Sequence, residues 1–159
     1  MTDQKYTERI ARKTALECSE AERVIELFVV GLIGELLRHG VACIRGIGCF
    51  ELRHVAARRH SGQLMPPSKR IVFMTRPVSG FRCAELLQQV AGVSRDTART
   101  CIRELAASFR SASSAREEFR LDGLGSFILR DGRYRFEPDH ALEELFNQGY
   151  AHLPPVDVG

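Results

Sequence analysis

Two short stretches of this chain repeat one another. Gly46-Ile47-Gly48-Cys49-Phe50 and Gly123-Leu124-Gly125-Ser126-Phe127 share the pattern Gly-x-Gly-x-Phe, with Gly123 lying 77 positions after Gly46. The same offset carries Phe109 onto Leu32, Leu105 onto Phe28 and Ile102 onto Ile25, so a run of apolar helix positions recurs with the bend. One spacing held over helix and strand alike marks an internal duplication, its register slipping only in an inter-helix turn. Two glycines around one apolar residue suit a tight strand-to-strand bend, and the phenylalanine anchors the returning strand in a core.

Each copy then reads as two helices, a strand, the bend and a hairpin. In the first, Tyr6–Leu16 predicts a short helix, and Ser19 with Glu22 has the spacing of a capping box. The next helix runs from Glu20 to Arg38 and stops at His39-Gly40. Its middle, Leu27 to Ile33, is apolar nearly all round, and such a helix must be covered on several sides. One small domain offers too little cover, so the sequence demands a second subunit or a second repeat. Glu26 and Glu35 flank the run, which falls well short of the ~20 apolar residues of a membrane span.

In the second copy, Phe81–Ala91 is a helix, Gly92-Val93 a turn and Ser94 an N-cap. The helix Asp96–Ser111 comes next, with Ala98, Cys101, Ile102, Leu105, Ala106 and Phe109 as its apolar stripe. Glu118–Leu121 leads to the bend, and Asp131-Gly132 closes Phe127–Arg130 on Arg133–Phe136. Asp139–Asn147 is a last helix, and Leu153-Pro154-Pro155 predicts a frayed, non-helical tail.

Past the bend the two copies diverge. Arg53 to Arg76 holds Arg53, Arg58, Arg59, Lys69, Arg70 and Arg76, two histidines (His54, His60) and no Asp or Glu. Cys49–His54 and Arg70–Thr75 border it as strands, Ser61-Gly62 suggests the turn, and Pro66-Pro67 break pairing on the return strand. A two-stranded ribbon of one charge sign is a form in which a chain lies along phosphates. Charge is asymmetric over the whole chain: residues 1–79 carry 13 basic and 8 acidic side chains, residues 80–159 carry 10 and 12. A polyanion therefore meets the first half.

The order helix, turn, long apolar helix, strand, Gly46-Ile-Gly-Cys-Phe50, basic arm, then Pro77-Val-Ser-Gly80 leading into Ala84-Glu-Leu-Leu87, resembles the HU/IHF family of DNA-bending proteins. The resemblance covers residues 6 to about 90, and the second copy extends it to about 150. The tandem arrangement, with Leu64-Met-Pro-Pro-Ser-Lys69 before an apolar strand, is similar to a prokaryotic subgroup of paired HU-like domains.

It implies an α+β fold of two HU-like repeats, 1–80 with a basic arm and 81–159 with a short hairpin, the helix Phe81–Ala91 closing one copy and opening the other. It also implies binding to double-stranded DNA with little sequence preference, bending of that DNA, and a place on the nucleoid. The DNA-binding residues would be Arg53, His54, Arg58, Arg59, His60, Lys69, Arg70 and Arg76. Pro66 and Pro67 would shape or wedge the arm, since an apolar side chain inserted between base pairs unstacks and kinks the duplex. The chain lacks the Arg-Asn-Pro-x-Thr-Gly tip of HU. The girth of Glu20–Arg38 favours a homodimer formed through that helix.

Two other readings use the same residues. Val90 to Arg99 has the form of a helix-turn-helix opening, as in a winged-helix regulator, with Arg95 and Arg99 on a recognition helix. With Arg103, however, these arginines fall four apart, which places them on a solvated face opposite the apolar stripe. Alternatively, the fold serves assembly without DNA. An enzyme is not expected, because no phosphate loop, nucleophile elbow or close His/Asp/Glu cluster appears, and His140 and His152 have no evident partner.

No cofactor, small-molecule substrate or membrane partner is expected. The five cysteines form no CxxC pair and read as reduced, packed thiols. Cys43 and Cys49 with His39 or His54 are zinc-ligand types, but their spacing is not that of structural zinc sites. Met-Thr-Asp-Gln-Lys at the start has no apolar signal region, which makes the cytoplasm the expected location.

Overall fold

The computed structural model describes residues 4–76, 80–148 and 156–157, so the motif positions 77–79, His152 and the expected frayed segment Leu153–Pro155 lie outside the described residues. Helix α1 is Gln4–Lys13 and α2 is Cys18–His39. Strands β1 (Val41–Ile44), β2 (Gly48–Val55), β3 (Arg58–His60), β4 (Gln63–Met65) and β5 (Ser68–Met74) come after them. Then come α3 (Cys83–Ala91), α4 (Arg95–Ala115), β6 (Phe119–Leu121), β7 (Gly125–Arg130), β8 (Arg133–Pro138), α5 (His140–Phe146) and the two-residue β9 (Val156–Asp157). The class is α+β, with three small antiparallel sheets ordered β1-β2-β5, β3-β4-β9 and β6-β7-β8.

Local chemistry moves several boundaries. Helix α1 stops short of Leu16 because the Thr14 hydroxyl donates to the Ile10 carbonyl at 2.8 Å and accepts from the Leu16 N–H at 3.1 Å. A side chain that competes in this way for backbone groups turns the chain out of the helix. The capping box of α2 is not Ser19 with Glu22. Glu17 is the cap, and Glu20 accepts from the Glu17 N–H at 3.2 Å, the reciprocal half of such a box. Helix α4 runs past Ser111 to Ala115, where Arg116 turns left-handed (φ 55°) and the Glu117 N–H reaches back to the Ala112 carbonyl at 2.9 Å. That is a Schellman closure.

One apolar core takes residues from both halves, among them Tyr6, Phe28, Leu32, Leu36, Phe50, Leu105, Phe119 and Phe127. Helices α1 and α3 each pack on both α2 and α4. Helix α3 of the second repeat thus covers one side of α2, and α1 and the first sheet cover others. Ala21, Val24, Ile25, Phe28, Val29, Leu32 and Leu36 are buried within one chain. Each larger side chain among them contributes about 1.5–3 kcal/mol. Val30 (66% exposed) and Leu37 (53%) stay outside.

The two bends share one geometry. Gly46 and Gly123 have φ of 87° and 90°, Gly48 and Gly125 of 150° and 156°. The Ile47 N–H donates to the Ile44 carbonyl at 3.0 Å, and the Leu124 N–H to the Leu121 carbonyl at 2.9 Å. Beyond each bend, Phe50 pairs with Phe73 across β2–β5, and Phe127 with Phe136 across β7–β8. These four rings interlock, with centroids 5.0 Å apart for Phe50–Phe136 and 4.8 Å for Phe73–Phe127, within the range of favourable aromatic pairs. The duplication read from the sequence thus becomes a packing unit: the same two rings from each repeat fill the seam between the sheets.

The cysteines correct one expectation. Cys43 and Cys49 form a disulfide rather than two reduced thiols, leaving Cys18, Cys83 and Cys101 free. They are register partners on β1 and β2, with Cα atoms 4.1 Å apart, as in the close type of antiparallel pair. They make no CxxC pattern because the hairpin, not sequence proximity, joins them. Both sulfurs that a zinc ion would need at this bend are bonded to one another. The matching pair in the second repeat is Arg120 and Ser126, also register partners, and the Arg120 guanidinium donates to Ser126 Oγ at 2.9 Å. Arg120 further contacts Asp122 at 2.7 Å and Asp139 at 3.0 Å. Burial alone would lower its pKa, but those two carboxylates outweigh that and raise it.

Candidate nucleic-acid interface

The basic stretch forms a two-stranded ribbon close to the one expected. Strands β2 and β5 pair from Cys49 opposite Met74 out to Val55 opposite Ser68. After a break, β3 and β4 pair from Arg58 opposite Met65 to His60 opposite Gln63. The register is the same on both sides of the break. Pro66 and Pro67 fall in it, where each lacks the N–H that a ladder needs. Ser61 and Gly62 close the tip with φ of 52° and 77°, the left-handed pair of a type I′ turn.

Along a pleated ribbon successive side chains alternate between faces. Arg53, Arg59 and Arg70 therefore lie on one face, and His54, Arg58, His60 and Lys69 on the other. Arg53, His54, Arg58, Arg59, His60, Arg70 and Arg76 are exposed, and Lys69, Pro66 and Pro67 are half-buried. Arg53 stands directly opposite Arg70, and His54 opposite Lys69. Like charges placed opposite one another destabilise a sheet, so the facing of Arg53 and Arg70 does not itself stabilise the fold. An anion against that face would relieve it.

Among the arm's arginines and lysine, Arg53 has a carboxylate, with Nε 3.0 Å from Glu51. Among the described residues, Arg58, Arg59, Lys69, Arg70 and Arg76 have no acidic partner within ion-pair distance. Ion pairs occur on the rest of the surface, for example Arg38–Glu35 at 3.1 Å and Arg130–Glu137 at 3.3 Å.

Two supports of the ribbon have no clear signal in the sequence. Helix α5 packs on β5 through its last turn, where Asn147 uses its side chain as a backbone mimic. Its Oδ1 accepts from the Lys69 N–H at 2.7 Å, and its Nδ2 donates to the Lys69 carbonyl at 3.0 Å. The second repeat thus braces the base of the first repeat's arm. In sequence, Asn147 signals only a helix end. The second support is β9, whose backbone pairs with β4, Val156 opposite Leu64 and Asp157 opposite Gln63.

Elsewhere, the apolar stripe of α4 is buried as expected (Ala98, Cys101, Ile102, Leu105, Ala106), and Arg95, Arg99 and Arg103 are exposed. Among the described residues, no helix is long and apolar enough to cross a membrane, and no cluster of three or more His, Cys, Asp or Glu side chains could hold a metal ion. Compared with protein-family models and with curated proteins, the chain matches none.

Proposed function

We propose that this protein binds double-stranded DNA with little sequence preference, as two HU-like repeats sharing one body, with the arm Arg53–Arg76 lying along the phosphates. The observation that carries this reading is the set of arm cations without carboxylate partners: Arg58, Arg59, Lys69 and Arg70 on the two-stranded ribbon and Arg76 just past it, all exposed except the half-buried Lys69. Cations on both ribbon faces reach phosphates whichever face meets the groove, and phosphate contacts carry affinity without sequence information. Pro66 and Pro67 interrupt the ladder below the tip, so their part is to let the arm flex around a bent duplex. The nucleoid is the location this binding implies. A homodimer through α2 belongs to the same proposal on a narrow apolar strip, Val30 and Leu37, both exposed and seven residues apart, hence on one helix face.

The test is fluorescence anisotropy of a labelled ~30-base-pair duplex at several salt concentrations, beside a variant with Arg58, Arg59, Lys69 and Arg70 changed to Ala. The native chain should bind with log K falling steeply against log salt. The variant's slope should be shallower by about three to four, at ~0.9 for each phosphate no longer neutralised. An unchanged slope would remove the arm from the interface. Absence of binding at low salt, with self-association through Val30 and Leu37, would favour the assembly reading instead.

A further inference from the structure

A second concentration of positive charge borders the base of the arm. The bend of the first repeat, the start of α3 and one face of α4 enclose a groove of about 1110 Å³. Arg45, Arg82, Arg95, Arg99, Arg103 and Arg110 line it, against a single carboxylate, Glu85, which pairs with Arg82 at 3.1 Å. The other five are exposed, and among the described residues none has an acidic partner within ion-pair distance. Arginines 95 to 110 extend over ~22 Å of helix at about 1.5 Å per residue. At about 3.4 Å per base pair that is roughly six base pairs of duplex. A row of this length fits a polyanion rather than one phosphate.

The internal repeat shows that this row is particular to one side. A Cβ on Gly46 would meet Ala106 of α4 at 2.7 Å, and a Cβ on Gly123 would meet Val29 of α2 at 3.4 Å. Val29 and Ala106 are 77 positions apart, as the two glycines are, so each bend sits on the long helix of the other repeat in the same way. The groove has a geometric counterpart built from the second bend and α2. There, Asp122 stands at the place of Arg45, Glu22 at that of Arg99 and Glu26 at that of Arg103. All three positions reverse sign. Packing does not require the reversal, because none of these positions is buried in either copy, and two further groove arginines, Arg95 and Arg110, have the uncharged Cys18 and Ile33 as counterparts.

We infer that this arginine groove is a second contact for duplex DNA, engaging the phosphate backbone on one flank of the body only, so that the DNA passes the molecule asymmetrically. The inference rests on the duplex-binding reading. It adds to it a separate set of residues and a handedness that two equal halves would not have. The mirror face carries Asp122, Glu22 and Glu26, with Asp122 paired to Arg120 and Glu26 to Arg23, and so presents no matching row of arginines to the same backbone.

The experiment compares five proteins on the ~30-base-pair duplex: the native chain, the arm variant, R99E/R103E, R99A/R103A and E22A/E26A. Far-UV circular dichroism checks folding, and R99A/R103A repeats the groove test with a milder change. R99A/R103A should lower the salt slope by about two, so that the ratio of affinities at 50 and 200 mM salt shrinks roughly tenfold. R99E/R103E should lower it at least as far. E22A/E26A should keep the native slope.

A native slope in both groove variants, with binding lost in the arm variant, overturns the groove and leaves the arm. Binding kept in the arm variant but lost in the groove variants overturns the arm and upholds the groove. A slope changed by E22A/E26A as much as by R99A/R103A overturns the one-sided path. Absence of duplex binding by the native chain at low salt overturns both.

Discussion

Substituting Gly48 by Ala tests how the repeated bend holds the molecule together. Gly48 has φ of 150°, a conformation that costs an L residue about 1–3 kcal/mol. The added Cβ would lie 2.5 Å from the Phe73 ring and 2.7 Å from the Met74 carbonyl oxygen. Neither can yield freely. The carbonyl belongs to the β2–β5 ladder, in which Cys49 faces Met74. The ring is held by Phe50 at 5.3 Å and Phe127 at 4.8 Å. Overpacking of such a site adds about 1–3 kcal/mol.

The total, roughly 2–6 kcal/mol, is a large share of the ~5–15 kcal/mol that stabilises an ordinary domain. At about 2–4 °C per kcal/mol for a chain of this size, Tm should fall by about 4–24 °C. The chain has no tryptophan, so thermal and urea unfolding are followed by far-UV circular dichroism. Gly62→Ala is the control. It also has positive φ, but nothing lies within 4 Å of its added Cβ, so only the backbone cost of about 1 kcal/mol remains. Gly125→Ala should behave as Gly48→Ala does, because its Cβ would meet the Phe136 ring at 2.7 Å and the Glu137 carbonyl. A Gly48→Ala variant no less stable than Gly62→Ala would refute the reasoning.

Alkylation of the native protein at pH 8 should modify Cys18, which is exposed, and spare Cys101, whose thiol burial pushes up to about 11 and so keeps neutral and unreactive. Unfolding without reductant should expose three thiols and reduction five, read by mass spectrometry; five without reductant would exclude the Cys43–Cys49 disulfide. Light scattering at micromolar concentration should give twice the chain mass, falling to one chain mass in Val30→Asp/Leu37→Asp. A native monomer would sink the homodimer and leave the pseudo-symmetric body as the functional unit.

Periodicity and repetition made much of this protein legible in its sequence. The 77-residue offset located both glycine bends. Glycine together with Asp131-Gly132 and Ser61-Gly62 located the turns, because left-handed backbone is confined to few residue types. The apolar stripes gave α2 and α4, and the run without Asp or Glu gave the ribbon. All of these are signals local to one element.

What the sequence could not decide depends on which elements meet. Whether α2 is covered by a second chain or by the second repeat is a matter of packing, and the interlocked Phe50, Phe73, Phe127 and Phe136 show the two repeats closing on each other. Asn147 bracing Lys69 and the pairing of Cys43 with Cys49 are likewise contacts between strands or helices whose residues carry no mutual signal in order. The sign reversal from Arg45, Arg99 and Arg103 to Asp122, Glu22 and Glu26 is written in the sequence. Only the tertiary structure shows that the arginines gather at one bend against the opposite helix, because apolar burial fixes where the elements meet and leaves the outward charges free to differ.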